Sequence, residues 1–269
     1  MQDIIHTVIE VGLDAPVRIV HITDVHLTAY AEEDPESQQD LLKRRYESFR
    51  KSGGYPPLDP ADYFREAIAL AEEQNALLIV TGDVIDLHSA GNVRAFRDII
   101  KGHDLMFSPG GHEYQRICRR TMEEEGDYAA TMREKLAAEF PEFDLDFESR
   151  IVGGVNIITA NNSFDYYNAY TVERFERELE RGLPIIVFSH DPINDKLMGL
   201  TESYHPNVKL TAEEYRISNR MRDAILHDPR VITTVSGHWH TQNDGEVEGK
   251  MHYVTPGLFR GICRVIEIR

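Results

Sequence analysis

The chain has 269 residues, of which 41% are hydrophobic and 28% are charged, and its formal net charge at pH 7 is −17. That length suffices for a full hydrophobic core, and the negative charge argues against broad binding to nucleic acid, which depends on Lys and Arg at the phosphates. We find no apolar run long enough to span a bilayer and no signal peptide, so we expect no membrane association. Two cysteines are too few for a disulfide framework, and we interpret Cys118 and Cys263 as buried thiols of a cytoplasmic protein.

Strand-like and helix-like segments alternate in the first half of the chain. The residue patterns predict strands over 4–11 and 17–22, separated by a turn. Asp59 and Pro60 predict the start of a helix, as its cap and its first residue. Residues 77–80 form a continuous apolar run, which is typical of a strand in a sheet covered on both faces. The remaining predictions are a helix over 92–101, a strand over 105–107 and mostly helix over 114–140.

The second half of the chain repeats this alternation. It predicts two helices, over 171–181 and 212–227. The predicted strands cover 155–160, 185–188, 231–235, 251–255 and 262–268. Strands that alternate with helices indicate an α/β architecture. Because we find no repeat and no low-complexity linker, we expect one domain over 1–269.

The segment 28–58 stands apart as a charged excursion with a helix near 40–50. It carries a basic cluster in an otherwise acidic chain, composed of Lys43, Arg44, Arg45, Arg50 and Lys51, with Tyr55 close by. One interpretation is a cap insertion over the functional site that contacts a phosphate. The other interpretation is a solvated helix face.

A cluster of His or Asp residues follows each of five predicted strands. The clusters are Asp24-Val25-His26, Gly82-Asp83-Val84-Ile85-Asp86, Gly110-Gly111-His112-Glu113, Ser189-His190-Asp191 and Gly237-His238-Trp239-His240. Ligands of open α/β sheets bind beyond the carboxyl ends of the strands, so the clusters are expected to converge. Carboxylates and imidazoles suit Mn²⁺, Fe²⁺ and Zn²⁺. The sequence therefore predicts a metal site.

The ordered set of motifs resembles the pattern of the calcineurin-like metallophosphoesterases. That pattern runs Asp-x-His, Gly-Asp-x-x-Asp, Gly-Asn-His-Asp/Glu, a later His and Gly-His-x-His, and it spans Asp24 to His240 here. The resemblance implies a four-layer sandwich of two mixed β-sheets flanked by helices. It also implies a hydrolase of a phosphomonoester or a small phosphodiester, which acts through a hydroxide between two divalent ions (Mn, Fe, Zn or Ni).

The resemblance further implies a role for each matched residue. One metal would be held by Asp24, His26, Asp83 and His240. Asp83 would bridge to a second metal, bound also by His190 and His238. His112 would act as a general acid at the leaving group, with Glu113 holding its orientation and Asp86 in a supporting position.

Gly111 departs from the family pattern, which has an asparagine ligand of the second metal at this position. Glycine has no side chain to coordinate, so the second site is one protein ligand short. Water, a substrate oxygen, or an asparagine from another loop could fill the position, and the candidates are Asn161, Asn162 and Asn92. The departure also favours an alternative function, a non-catalytic binding module that keeps the fold. A nuclease would need a basic track that this composition does not offer.

Overall fold

The computed structural model describes residues 1–51, 58–117, 128–193 and 210–269. The strands in these ranges are β1 (Asp3–Ile9), β2 (Val17–Thr23), β3 (Leu77–Thr81), β4 (Leu105–Ser108), β5 (Phe147–Val152), β6 (Val155–Ala160), β7 (Ile185–Phe188), β8 (Val231–Ser236), β9 (Gly245–Val247), β10 (Lys250–Val254) and β11 (Ile262–Ile268). The helices are α1 (Glu36–Lys51), α2 (Pro60–Glu73), α3 (Ala90–Ile100), α4 (Tyr128–Glu139), α5 (Ala169–Leu179) and α6 (Ala212–His227).

These strands form two mixed sheets. The first has the order β1-β11-β2-β3-β4, and the second has the order β5-β6-β7-β8-β10-β9. In the first sheet β2, β3 and β4 run parallel, and in the second β6, β7 and β8 do so. β10 also runs parallel to β8. Because parallel strands end at the same edge, the first sheet presents three carboxyl ends side by side and the second presents four.

Apolar side chains on both faces of each sheet create four layers. Within β2, Ile19 belongs to a cluster shared with the second sheet, whereas its neighbour Val20 packs with Phe64 of α2. A strand directs successive side chains to opposite faces, so this alternation places one sheet face on the other sheet and one on helices. The second sheet buries its outer face against α5 and α6 through residues such as Phe175 and Met221. The predicted four-layer sandwich of two mixed sheets flanked by helices is confirmed.

Most predicted elements are present with shifted bounds. The helix over 212–227 and the strand over 262–268 match α6 and β11 at both ends. Asp59 caps α2, and its side chain accepts a hydrogen bond from the backbone N–H of Ala61. Of the mostly helical stretch predicted over 114–140, Tyr128–Glu139 form α4, whereas 115–117 are not helical and follow a short 3₁₀ turn at His112–Tyr114. The stretch 118–127 lies outside the described residues, and the prediction is not tested there.

Two edge strands were missed by the sequence patterns. β5 reads FESRIV, and its central residues are polar and only half-buried, so the apolar signal of a strand is weak. β9 has three residues, too few for any periodicity. Each becomes a strand because a neighbour pairs with it, β6 for the first and β10 for the second.

Three further predictions concern single features. Cys263 is a buried free thiol, while Cys118 lies outside the described residues, as does Tyr55. None of the described helices is both long enough and apolar enough to cross a bilayer. One domain over 1–269 stays a prediction.

Candidate metal centre

The strand-end clusters meet where the two sheets lie against each other. Asp24 follows β2 and donates its backbone N–H to the carbonyl of Gly82, which follows β3, at 2.9 Å. Gly237, after β8, donates to the carbonyl of His190, after β7, at 2.9 Å. The two sheets are joined at this edge because the backbone N–H of His238 donates to Asp24 Oδ2 at 2.8 Å. The predicted convergence of the clusters is therefore present.

A first group of three side chains, those of Asp24, His26 and His240, brings its ligand atoms close together. Asp24 Oδ1 lies 3.2 Å from His240 Nε2 and 3.9 Å from His26 Nε2, and the two histidine nitrogens are 3.0 Å apart. Ligand atoms bound to a single ion at about 2.1 Å stand roughly 3.0–3.4 Å apart, so this spacing fits a divalent cation. Asp24 Oδ1 is buried and accepts no hydrogen bond from any described residue, as expected of an oxygen directed at a cation.

A second group, composed of Asp83, His190 and His238, lies beside the first and again combines one carboxylate with two imidazoles. His190 Nε2 lies 3.3 Å from Asp83 Oδ2 and 3.3 Å from His238 Nδ1. The ligand atoms of each group lie within 4.8 Å of one another. Asp83 was expected to bridge both metals; the geometry groups it with His190 and His238, and its bridging role stays a prediction.

The two carboxylates are held in the same way. Asp24 Oδ2 accepts hydrogen bonds from the backbone N–H of His238 and the hydroxyl of Thr23, at 2.8 and 2.7 Å. Asp83 Oδ1 accepts the backbone N–H of His112 at 2.9 Å. In each case one oxygen is bound by the protein and the other is directed at histidines. The fixed oxygen orients the carboxylate, so little conformational freedom remains to be lost when a cation binds.

The imidazoles of His26 and His190 are oriented by hydrogen bonds on their far sides. His26 Nδ1 donates to Asp86 Oδ1 at 3.0 Å, and His190 Nδ1 donates to the carbonyl of Thr81 at 3.0 Å. Each bond fixes the proton on Nδ1 and leaves the Nε2 lone pair directed at its group. Asp86 thus contacts the far side of His26, and its supporting role in metal binding stays a prediction.

Burial and neighbouring charges set the protonation of these groups. Burial lowers the pKa of His26, which favours the neutral ring that a metal requires. Burial raises the pKa of Asp24, but the adjacent imidazoles of His240 and His190 outweigh it and hold the pKa below its usual value. In the first group this favours a carboxylate beside the neutral imidazole of His26, and both are donors that a transition-metal ion accepts.

Most of the predicted ligands have a left-handed backbone. Eight non-glycine residues of the described ranges have positive φ, and five of them are predicted metal ligands. Such conformations are uncommon for residues with a Cβ and cluster at functional sites. The five, with φ between 50° and 72°, are Asp24, His26, Asp83, His238 and His240.

His112 lies between the two groups. Its Nδ1 donates to the carbonyl of Asp86 at 2.6 Å, and its Nε2 is 3.9 Å from Asp83 Oδ2. Its ring packs edge-on against His26, with centroids 4.8 Å apart. The side chain is 22% exposed, so solvent and a substrate can reach it beside the metal groups.

Glu113 has a different task from the expected one of orienting His112. Its buried carboxylate accepts backbone N–H groups of the loop after β3, from Asp83 at 2.9 Å and Val84 at 2.7 Å, and from Gly110 at 2.7 Å. Burial, assisted by the negative charge of Asp83, raises the pKa of Glu113 to about 7. Glu113 thus holds the backbone that presents Asp83, while the carbonyl of Asp86 holds His112.

Helix α1, in the predicted cap segment, covers the first group. Arg45 donates from Nε and Nη2 to the two oxygens of Asp86, both at 2.7 Å. One turn later, Phe49 packs against His26 and Phe259, with ring centroids 5.4 and 5.0 Å away. The described part of the cap segment therefore contacts the site, and Arg45 reaches it through Asp86.

Two of the three asparagines considered as substitutes for the missing ligand use their amide oxygen on other residues, whereas Asn92 is engaged by the described residues only through its amide nitrogen. Asn161 Oδ1 accepts from the backbone N–H and the hydroxyl of Ser163, and Asn92 donates to the carbonyl of Leu87. Asn162 contacts the backbone of Asp191 with both ends of its amide, donating to the carbonyl and accepting from the N–H.

Asp191 is the residue near the metal groups that the sequence analysis did not assign. Its Oδ1 lies 3.2 Å from His238 Nδ1 and 4.0 Å from His190 Nε2, and the side chain is 13% exposed. The available signal was its position directly after His190 at the end of a strand. Only the histidine of that pair matches the family motif, so the motif assigns no role to the aspartate.

His88, in the loop after β3, is buried. Its Nε2 lies 2.7 Å from Glu139 Oε2 of α4, and its side chain is 3% exposed. It joins α4 to the loop after β3.

Comparisons of the fold with solved structures give several similar chains. A dimetal phosphatase from Danio rerio has 12% identity and a TM-score of 0.49, over 91% of this chain and 88% of that one. Phosphopantetheinyl hydrolase from Mycobacterium tuberculosis has 15% identity and a TM-score of 0.47, over 90% of each chain. GAP50, the anchor in the inner membrane complex of Plasmodium, has 14% identity and a TM-score of 0.44, over 91% and 73%. These values are too low to transfer a function.

The sequence itself gives the decisive comparison. Comparison with curated proteins found no match. The family model described as calcineurin-like phosphoesterase matches residues 17–242, which include β2 and all five strand-end clusters. That span covers most of the chain and contains both three-residue groups, so the chain belongs to the calcineurin-like phosphoesterase family.

Proposed function

We propose that the chain is a metal-dependent hydrolase of a phosphomonoester or a small phosphodiester. In this proposal Asp24, His26 and His240 hold one divalent ion. The other ion is held by Asp83, His190 and His238. The observation that carries the proposal is the pair of adjacent groups, each with a fixed carboxylate and spacings that suit one cation. Family membership supports the same class of reaction.

Divalent ions bound here would supply Lewis-acid chemistry, which neutralises phosphate charge and makes a water more acidic. The residues of the chain determine where that chemistry occurs. The fixed oxygens of Asp24 and Asp83 and the fixed tautomers of His26 and His190 present four donor atoms with little reorganisation.

His112 is the residue suited to move a proton at the leaving group. The bond from Nδ1 to the carbonyl of Asp86 keeps Nδ1 protonated, so Nε2 is the atom that exchanges a proton with substrate. Asp83 Oδ2 and Asp86 Oδ1 lie 3.9 and 3.8 Å from the ring nitrogens of His112. The leaving oxygen is therefore expected on the Nε2 side of the ring.

The cap segment contributes through Arg45. Since both oxygens of Asp86 already accept hydrogen bonds from Arg45, this guanidinium orients the carboxylate that orients His26. We therefore assign Arg45 a positioning role.

The proposal is tested by metal reconstitution and turnover together. Protein freed of metal with a chelator is reloaded with Mn²⁺, Zn²⁺, Fe²⁺ or Ni²⁺, and its metal content is measured. It is then assayed with a chromogenic phosphomonoester and a chromogenic phosphodiester. We expect turnover of at least one ester with at least one ion. The variant His238→Gln should lose this turnover, and His227→Gln, at the exposed end of α6, should keep it.

The alternative of a non-catalytic binding module makes the opposite prediction. A protein that binds metal but turns over neither ester with any of the four ions would refute the hydrolase and support the module. If the two ester classes differ by roughly 100-fold or more, the ratio identifies the preferred class.

A further inference from the structure

Asp191 stands at the second group, on the protein segment that also carries His190. Its Oδ1 is 3.2 Å from His238 Nδ1, the same nitrogen that lies 3.3 Å from His190 Nε2. Since His190 Nδ1 is bound to the carbonyl of Thr81, Nε2 marks the side of the ring on which the ion would lie. The carboxylate of Asp191 thus lies near two of the three donor atoms.

The backbone of Asp191 is held by neighbouring side chains. Asn162 donates to its carbonyl at 2.9 Å and accepts from its N–H at 3.0 Å. The hydroxyl of Ser189 also donates to that carbonyl, at 3.2 Å. Three hydrogen bonds to the backbone of one residue fix the point from which the carboxylate extends, as is typical of a ligand that must be presented accurately.

The second group also needs an additional donor. Gly111 offers none, and the amides of Asn161 and Asn162 are used on Ser163 and Asp191. Asp83, His190 and His238 supply three ligands, and the Asp191 carboxylate lies beside them, with Oδ1 4.0 Å from His190 Nε2.

We infer that Asp191 is the fourth protein ligand of the second metal ion and replaces the amide oxygen that Gly111 has lost. The inference rests on the metal sites of the proposed function but not on turnover. It gives the pair of sites three carboxylates, Asp24, Asp83 and Asp191. An anionic oxygen in place of an amide lowers the net charge of the loaded site by one and favours the harder ions, Mn²⁺ above all.

The test measures metal binding without substrate. Wild-type protein, Asp191→Ala and Asp191→Asn are freed of metal, titrated with Mn²⁺ and analysed for ions per chain and for dissociation constants. We expect the wild-type protein to bind two ions. In Asp191→Ala, the dissociation constant of the more weakly bound ion should rise at least about 100-fold. Asp191→Asn keeps a side-chain oxygen, so its dissociation constant for this ion should lie between those of the wild type and Asp191→Ala. Asp223→Ala, on the exposed face of α6, is the matched control and should bind two ions.

A second variant separates coordination from mere positioning. Gly111 has φ −64°, and a Cβ at this position has no neighbour closer than 3.7 Å, so the backbone accepts a residue with a Cβ. The double variant Asp191→Ala, Gly111→Asn should recover the second ion, and Asp191→Ala, Gly111→Ala should not.

Three results would overturn the assignment. Two ions bound with unchanged constants in Asp191→Ala would exclude a ligand role. Loss of both ions would indicate a structural role. Failure of the Gly111→Asn substitution to restore the second ion to Asp191→Ala, with the first ion still bound, would show that Asp191 only positions His238. Wild-type protein with two ions and no turnover would refute the proposed function and leave this assignment intact.

Discussion

Arg45 and Asp86 form an ion pair with two parallel hydrogen bonds, both 2.7 Å long, between α1 and the loop after β3. Asp86 is fully buried, and the Arg45 side chain is 25% exposed. The same carboxylate accepts from His26 Nδ1, so a helix outside the sheets is linked to a predicted metal ligand through a single residue. Bidentate pairs of this kind fix geometry as well as charge.

The variant Arg45→Met is expected to weaken the binding of the ion in the first group. Without the guanidinium, Asp86 loses two hydrogen bonds and no longer holds His26 firmly, so the dissociation constant of that ion should rise about 10–100-fold. Metal titration followed by intrinsic fluorescence or calorimetry measures it. Arg44→Met, at an exposed position of the same helix, is the control. Equal constants in Arg45→Met and the control would show that the pair only attaches the helix.

The variant Gly237→Ala is expected to displace Asp24. A Cβ at this position would clash with the hydroxyl of Thr23 and lie 2.6 Å from Asp24 Oδ2. We expect a loss of about 1–3 kcal/mol in the free energy of unfolding, together with weaker binding of the first ion. Gly111→Ala is the matched control, because its Cβ meets only ordinary contacts, and it should change stability by less than about 0.5 kcal/mol. Urea unfolding of both variants decides the matter, and equal midpoints would contradict the steric argument.

The variant His112→Ala is expected to lower turnover without loss of metal. A well-placed general acid contributes about 10²–10⁴-fold, and the ring is held by the carbonyl of Asp86 and lies beside the metal groups. The measurements are kcat for the better ester and ions per chain in the same preparation. Loss of metal in proportion to activity would make His112 a ligand instead of an acid.

Stability is expected to fall as the pH drops below about 6.5, in part because of His21. Burial, with the charge of Arg264 nearby, lowers the pKa of His21 to about 3, and its ring nitrogens bond to Thr255 and Thr81. His21 therefore stays neutral in the folded state at pH values where the unfolded chain, with a pKa near 6.5, binds a proton. This stability is complete above that pH and decreases between 6.5 and 3, by about 2 kcal/mol from pH 7 to pH 5.

The variant His21→Gln keeps polar atoms for both threonines and removes the titration. We expect its free energy of unfolding to change less than that of the wild type between pH 7 and pH 5. His227→Gln, at an exposed histidine, should retain the wild-type difference. Identical pH dependence in all three proteins would show that the pKa of His21 is the same in the folded and unfolded states.

The fold and most of the site follow from local signals in the sequence. The apolar run of β3 and the capped start of α2 depend on neighbours in the chain, and both are where the patterns place them. The sequence also places Asp24, His26 and His240 at strand ends. Since ligands of open α/β sheets bind beyond the carboxyl ends of the strands, this position predicts that the three residues lie close together.

The remaining features depend on contacts between distant residues. The half-buried β5 is a strand because β6 pairs with it. Glu113 was expected to orient His112 because the two are neighbours in sequence, yet its carboxylate bonds to backbone groups thirty residues away. The position of Asp191 beside His238 and the use of Asn162 on its backbone cannot be read from spacing, because they depend on how two loops of the second sheet face each other.

The division of each metal group between the two sheets determines when a metal can bind during folding. Asp24 and His26 belong to the first sheet and His240 to the second, and Asp83 is separated in the same way from His190 and His238. A chain with only one sheet formed has no complete set of donors for either of these two groups. Metal capture should therefore be among the last events of folding, and the rate at which refolding chains take up Mn²⁺ would report the docking of the two sheets.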